Sequence, residues 1–489
     1  MNHSSSEVDL RSIAEQVVRE RGFNPQFPPP VKQQVAQIEL HPPTISANGN
    51  IRDLRSLFWS SIDNDDSKDL DQIEVAERLT NDNIKVLVGI ADVDAFAGKD
   101  SPIDAHAARE TTTVYTGVRV FSMLPEQLST GLTSLLEGAD RLSVVTEFVV
   151  DGNGEIASSD IYRAVVHNKA QLTYSGVGRW LEGNGTSNSK ISVSAELQAQ
   201  LKLQSEVAEK LKQQRFKHGA LTIESMELQP IMSGEQIIGV ADREKNRASE
   251  LIEELMIAAN ESVARMLEAK RVASIRRVVK TPERWNRIVE LASQHGGNLP
   301  ADPDPKALND FLVKRRALDP DHFADVSLAV VKLMGPGEYV LERPADTGVG
   351  HFGLAVQDYT HSTAPNRRFA DVVTQRLVKS VLAGKSSQYS DALLSAIAKN
   401  CTERQDAARK VQRDMQKRIA AVALKRSIGQ NFDAIVTGNN EHGTFVRIMK
   451  PHVEGMLVGG HEGLDVGDRL RVKLVNTDVR RGYIDFVTA

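Results

Sequence analysis

Residues 84–92, IKVLVGIAD, and residues 143–151, SVVTEFVVD, decide the fold class. Both are rich in β-branched side chains, whose stiff χ1 suits a pleated surface, and both are bounded by turn formers. Each therefore reads as a strand. Gly152-Asn153-Gly154 turns the chain into a further strand, Ile156–Val166. Helical periodicity follows: Leu251, Leu255, Ala258, Ala259, Val263 and Met266 fall on one helix face. Ala307–Val313, Phe323–Met334, Phe369–Leu382 and Thr402–Arg426 read as further helices. The last is strongly basic, with eight Lys/Arg against three acids between Cys401 and Arg426. Strands and then helices in one chain make the fold class α+β.

On either side the texture changes. The first fifty residues combine a short amphipathic segment, Val8–Arg21, with prolines in Phe27–Val31 and His41–Pro43. Pro-Pro-Pro cannot continue a helix and favours an extended linker, so this region reads as a lead-in with a small helical part. After Ile428 come five short segments split by Gly and Asn: Phe432–Val436, Thr444–Ile448, Gly455–Val458, Arg469–Leu474 and Tyr483–Val487. That spacing predicts a small β-barrel of the oligonucleotide-binding type. The expected organisation is a lead-in over 1–50, a large α+β domain over 51–427 and a barrel over 428–489. No repeat period is visible, which argues against a solenoid.

Composition excludes several classes. With 489 residues, 40% of them hydrophobic and 26% charged, the chain can bury a core and is not wholly disordered. No apolar run is long enough for a membrane span, and the N-terminus lacks the basic-then-apolar order of a secretory signal. The single cysteine, Cys401, cannot form an internal disulfide, which fits a reducing, cytoplasmic setting. A net charge of -5 means that any polyanion must meet a local basic patch.

The densest chemical signal is Asp63-Asn64-Asp65-Asp66-Ser67-Lys68-Asp69-Leu70-Asp71, five carboxylates in nine residues. These repel one another unless something positive sits among them. A solvated acidic loop is the plainest reading. A calcium loop matches the ligand spacing at Asp63, Asp65, Ser67, Asp69, Asp71 and Glu74, but Lys68 stands where the sharp turn needs glycine. The third reading is a Mg²⁺ site handling phosphate, since Mg²⁺ takes oxygen ligands and keeps waters and substrate phosphates in its shell. Asp63, Asp69 and Asp71, at spacings of six and two, could aim at one point.

Ile62–Gln72 (IDNDDSKDLDQ) resembles the aspartate signature of the ribonuclease II, or RNB, exoribonucleases. Ile90-Ala91-Asp92-Val93 looks like that family's IADV strand. Ser101–Arg109, Thr113-Val114-Tyr115 and Met123-Leu124-Pro125 follow its next segment, and Phe216–Leu221 (FKHGAL) its RFxxGAL. His351–Leu377 (HFGLAVQDYTHSTAPNRRFADVVTQRL) tracks the family almost throughout, and the C-terminal sixty residues look like its S1 domain. The resemblance implies a catalytic domain built on a mixed sheet with surrounding helices, followed by an OB-fold barrel. It also implies 3′→5′ hydrolysis of single-stranded RNA to nucleoside 5′-monophosphates with Mg²⁺, by a cytoplasmic protein expected to be a monomer. By position, Asp63, Asp69 and Asp71 would hold the metal and its water, Tyr115 would stack on or brace the terminal nucleotide, and Arg367, with Arg368 beside it, would contact the scissile phosphate. A guanidinium fork suits phosphate oxygens and neutralises developing charge.

Three departures stand out. The family's fourth aspartate is Gln72, which can coordinate only through a neutral amide oxygen. The late glutamate of its basic helix is Gln412, in Lys410-Val411-Gln412-Arg413, placed for RNA contact. A base-stacking aromatic expected before Glu283 is replaced by Pro282; Trp285 is the nearest substitute, with buried helix packing a reading of at least equal weight. Typical members also begin with two cold-shock barrels, which fifty residues cannot encode, so RNA access is expected to be less restricted there. In the barrel, Phe445 and Arg447, with Phe432 and His442 nearby, are candidate RNA-binding residues, because an aromatic ring offers a stacking platform for any base. For Phe432 a place in the barrel core is the stronger reading. The alternatives are an RNA-binding protein that has lost catalysis, motivated by Gln72 and Gln412, and a calcium-binding interaction module.

Overall fold

The computed structural model describes residues 9–183, 189–224, 227–234, 236–243, 245–441, 443–460, 462–464 and 466–489. Val8 and His442 lie outside the described residues. The chain opens with α1 (Leu10–Glu20) and α2 (Pro29–Leu40). The proline stretch therefore starts a helix and is not an extended linker. Pro29 and Pro30 occupy the first turn, where the missing N–H has no intrahelical partner to lose and φ is already helical.

Strands β1 (Ile51–Asp53), β2 (Trp59–Asp63), β3 (Gln72–Arg78) and β4 (Ile84–Ala91) lead to α3 (Pro102–Glu110) and the short hairpin β5 (Val114–Tyr115) and β6 (Val120–Phe121). The long pair β7 (Asp140–Val150) and β8 (Ile156–Thr173) follows, joined by the Gly-Asn-Gly turn. These strands form one six-stranded sheet in the order β1-β8-β2-β3-β4-β7, leaving aside the β5–β6 hairpin. β8, next to the β1 end, also pairs with β7 at the other end of the order. Only β1 and β2 run parallel to β8; the other pairings are antiparallel, so the sheet is mixed.

Helices cover the sheet: α4 (Tyr174–Leu181), α5 (Ser189–Val193), α6 (Ala195–Lys217) and, after the hairpin β9 (Glu227–Ser233) and β10 (Gln236–Arg243), α7 (Arg247–Ala269). The core between them contains Ile62, Val86, Val88, Leu201 and Leu255. Next come β11 (Ser274–Val278), α8 (Trp285–Gln294), α9 (Pro305–Leu318), α10 (Phe323–Met334) and β12 (Glu338–Glu342), then α11 (Phe369–Leu382) and α12 (Asp391–Leu424). α12 begins eleven residues before the basic stretch Thr402–Arg426, at its N-cap Ser390.

The last five strands, β13 (Asn431–Asn440), β14 (Gly443–Ile448), β15 (Glu454–Gly459), β16 (Arg469–Asp478) and β17 (Tyr483–Thr488), close into a barrel ordered β13-β14-β15-β17-β16. One apolar cluster runs from α1 (Ala14, Val18) through α12 (Met415, Ile419) into the barrel (Val446, Phe486). Among the described residues no helix is long and apolar enough to cross a membrane.

Candidate active site

Asp63 ends β2 and Gln72 begins β3, so the aspartate loop is the connection between two paired strands. Its middle is anchored by Leu70, which is 1% exposed. The Leu70 N–H donates to Ser134 Oγ at 2.9 Å, and its carbonyl accepts from the Leu135 N–H at 3.0 Å. Ser134 Oγ in turn donates to the Lys68 carbonyl at 2.7 Å.

Asp71 is almost wholly buried. One carboxylate oxygen accepts from the Asn366 N–H at 2.9 Å and the other from Arg367 Nε at 3.3 Å. Arg367 keeps 45% of its side chain exposed, so the guanidinium can also meet a ligand. Tyr115 closes the group, its hydroxyl donating to Asp69 Oδ2 at 3.4 Å. Tyr115 and Arg367 reach the same place because their segments are stitched together. The Thr113 N–H donates to the Arg367 carbonyl (3.0 Å), and the Phe369 N–H to the Thr111 carbonyl (2.8 Å).

Burial pushes the Asp71 carboxyl up to about 7, although Arg367 and the Asn366 N–H pull the other way. Burial also raises Asp69, with Asp63 adding repulsion and Arg367 opposing both. Burial works against the charge on Arg367, but Tyr115, Asp71 and Asp63 outweigh it and raise its pKa. Glu74, on β3 behind the loop, is fully buried with neither carboxylate oxygen hydrogen-bonded; burial and Asp63 hold it well above the usual carboxylate range.

Not every expected residue joins this group. Arg368 directs its guanidinium at Asp371 through two bonds of 2.9 and 2.8 Å, and the Ala364 N–H adds a third to the same carboxylate at 2.8 Å. It braces the loop that presents Arg367 and is not free for phosphate. Arg447 is 9% exposed and ion-paired with Asp325 of α10, so it docks the barrel and does not face open solvent. Phe445 is half-buried on the outer side of β14, whose Thr444, Val446 and Ile448 turn into the barrel. Phe432 packs against the barrel core. Gln72 is 8% exposed and its amide donates to the Ile62 carbonyl at 3.4 Å. Gln412 is half-buried on α12 and makes no described hydrogen bond to the carboxylates. Trp285 is a core residue: it is 4% exposed, donates to the Pro300 carbonyl at 2.9 Å and packs on Phe352. Its burial rules out the stacking role.

Four residues escaped the sequence reading. Asn366 and Asp371 sit inside the quoted motif, but their roles are a main-chain N–H and a buried brace. Thr133, which donates to Asn366 Oδ1 at 2.6 Å, and Ser134 carry no local signal at all.

All the donors Asp63, Asp69 and Asp71 offer are hard oxygens, and the raised Asp69 and Asp71 mark a place where positive charge would be favourable. That chemistry fits a divalent ion such as Mg²⁺. Among the described residues no group of three or more His, Cys, Asp or Glu side chains already converges as a ligand set. An ion held there would draw on few carboxylates and fill its shell with water and substrate oxygens.

The RNB domain model matches residues 51–384, and that of the RNase II-type exonuclease C-terminal S1 domain matches residues 430–489. Similar curated proteins include Ribonuclease R of Thermotoga maritima, 32% identical over 89% of this chain, and Ribonuclease R of Escherichia coli, 28% identical over 94%. The chain spans 64% and 60% of those two proteins' lengths. Among solved structures, Mycoplasma genitalium RNase R in complex with ribose methylated single-stranded RNA superposes with a TM-score of 0.87 at 22% identity. That likeness covers 98% of this chain and 78% of the other.

Proposed function

Because the chain belongs to the RNB-domain family, we propose that it hydrolyses single-stranded RNA from the 3′ end and releases nucleoside 5′-monophosphates. The observation that carries this reading is the joining of Arg367, half open to solvent, to the buried Asp71, with Asp69 and Tyr115 alongside. The named relatives and the RNA-bound neighbour support it.

In this reading Asp63 and Asp69 offer the more open oxygens for a divalent ion, which when bound would neutralise phosphate charge and acidify a water. Asp71 adds its charge from behind and holds the Arg367 guanidinium at a fixed angle. Arg367 places its remaining N–H groups against the scissile phosphate, where charge grows as the linkage breaks. Tyr115, 40% exposed, lays its ring against the terminal nucleotide while its hydroxyl stays on Asp69. Arg368 acts one step back, through Asp371. Half-exposed Phe445 offers a base a stacking surface on the barrel, and Gln412 a polar contact along α12.

Gln72 favours a second reading, an RNA-binding protein with impaired catalysis, since its amide adds no charge. A 5′-labelled single-stranded RNA incubated with and without Mg²⁺ separates the two. The enzyme shortens the labelled strand stepwise and liberates mononucleotides, whereas a binding protein shifts the RNA and leaves its length unchanged.

A further inference from the structure

A cavity of about 1770 Å³ lies between the catalytic domain and the barrel, which lends it Lys450, Pro451 and His452. Several charges lining it are already matched. Glu254 pairs with Arg215 at 2.5 Å and Glu250 with Lys212 at 2.9 Å, and Asp242 is hydrogen-bonded to His452 at 2.8 Å.

Arg277, which also lines the cavity, differs from these. It sits on β11, is 6% exposed, and its Nη1 has no hydrogen-bond partner. The cations whose charge it feels are Arg409 and Arg368; with burial as the main cause, its pKa is lowered. The guanidinium is nonetheless held in place. Its carbon lies 4.8 Å from the centre of the Tyr339 ring, and Gly337 leaves room on another side. A Cβ at Gly337 would stand 2.7 Å from Nη2. Gly337 does not have a left-handed φ, so the nearby guanidinium, and not the backbone, accounts for the absent side chain.

A buried guanidinium with an unpaired N–H and like charges around it is unfavourable until an anion arrives. We infer that Arg277, seated on Tyr339 and Gly337, binds a backbone phosphate of the RNA strand inside this cavity, at a linkage other than the one Arg367 engages. The inference rests on the ribonuclease reading and adds a second phosphate grip to it. Arg368, whose charge reaches Arg277, is the chain neighbour of Arg367.

The test uses the full chain with Arg277→Gln and Gly337→Ala, measuring RNA affinity across salt concentrations, kcat, KM and melting temperature. For Arg277→Gln, KM and Kd for long single-stranded RNA rise about tenfold and kcat changes less than about threefold. The salt dependence of binding becomes shallower by about 0.7 in log–log slope, the value for one lost phosphate contact on a single strand. Gly337→Ala shifts KM in the same direction with the charge retained. The melting temperature of Arg277→Gln holds or rises, because an unpaired buried charge has gone. A lower melting temperature with kcat and KM impaired together would make Arg277 merely structural and overturn the inference. So would unchanged RNA binding alongside lost binding of inorganic phosphate, which would mark a site for a free anion. If Arg277→Gln matches the parent in affinity and slope while the parent degrades RNA, the inference fails and the ribonuclease reading stands. A parent that never shortens RNA counts against that reading instead.

Discussion

Asp71 and Arg367 are separated by 296 residues in the chain, and their side chains meet at 3.3 Å. The Asn366 N–H, one residue away, holds the other oxygen of the same carboxylate. The loop between β2 and β3 and the segment leading into α11 are thereby locked together, and the charge that stays with them faces outward through Arg367.

Asp71→Asn keeps an oxygen for the Asn366 N–H and removes the charge. Mg²⁺-dependent RNA shortening is expected to fall by about 10³-fold, as when a preorganised electrostatic partner is lost. RNA affinity, read by anisotropy, should stay within about threefold of the parent. Parent-like turnover in this variant would remove Asp71 from the chemistry.

The raised Asp71 also makes a stability prediction. Its folded value of about 7 lies above the ordinary 3.8, so the folded state binds the extra proton. Its contribution is then fully present below about pH 4 and is lost as pH rises towards 7, on the order of 4 kcal/mol at most. Melting temperatures without metal should show a downward component between about pH 4 and 7 that Asp71→Asn lacks. Added Mg²⁺ should flatten it.

Arg367→Lys retains a positive charge but loses the planar fork. A lysine cannot hold Asp71 through Nε while presenting further N–H groups to phosphate. The expected result is a drop in kcat of about 10²-fold with a smaller change in KM. Equal activity of the two proteins would mean that charge alone suffices.

Ser134→Ala leaves the Leu70 N–H and the Lys68 carbonyl without their shared hydroxyl. Leaving such groups unsatisfied costs about 1–3 kcal/mol, and activity should fall with it because Asp69 and Asp71 flank Leu70. Denaturant melts and turnover of the same preparation measure both; a loss of stability with unaltered turnover would separate the hydroxyl from the site.

Arg447 and Asp325 are expected to behave as a docking pair. Asp325→Ala, which strands a buried guanidinium, should destabilise the protein by about 3 kcal/mol, and the double variant Asp325→Ala with Arg447→Met should recover most of it. A double-mutant cycle in denaturant reads the coupling directly. No coupling would mean that the barrel is held by its other contacts, the apolar ones with α1 and α12 and the His452–Asp242 pair among them.

Sequence by itself determined the parts whose causes are local. The β-branched runs became β4 and β7, helical periodicity became α7, α10 and α11, and five spaced segments became the closed barrel, because strand and helix preferences act over a few neighbouring residues. The motif residues Asp69, Asp71, Tyr115 and Arg367 were also legible as a set. Tertiary structure alone decided which of the charged residues remain available. Arg368 and Arg447 read as RNA contacts, yet Asp371 and Asp325 take them, and Trp285 vanishes into the core. The prolines at 29 and 30 start a helix whose Val31 and Val35 find a core to pack on. Spacing along a chain sets which way a side chain can point, but only packing brings the partner that removes its charge from water, and such partners lie up to hundreds of residues away.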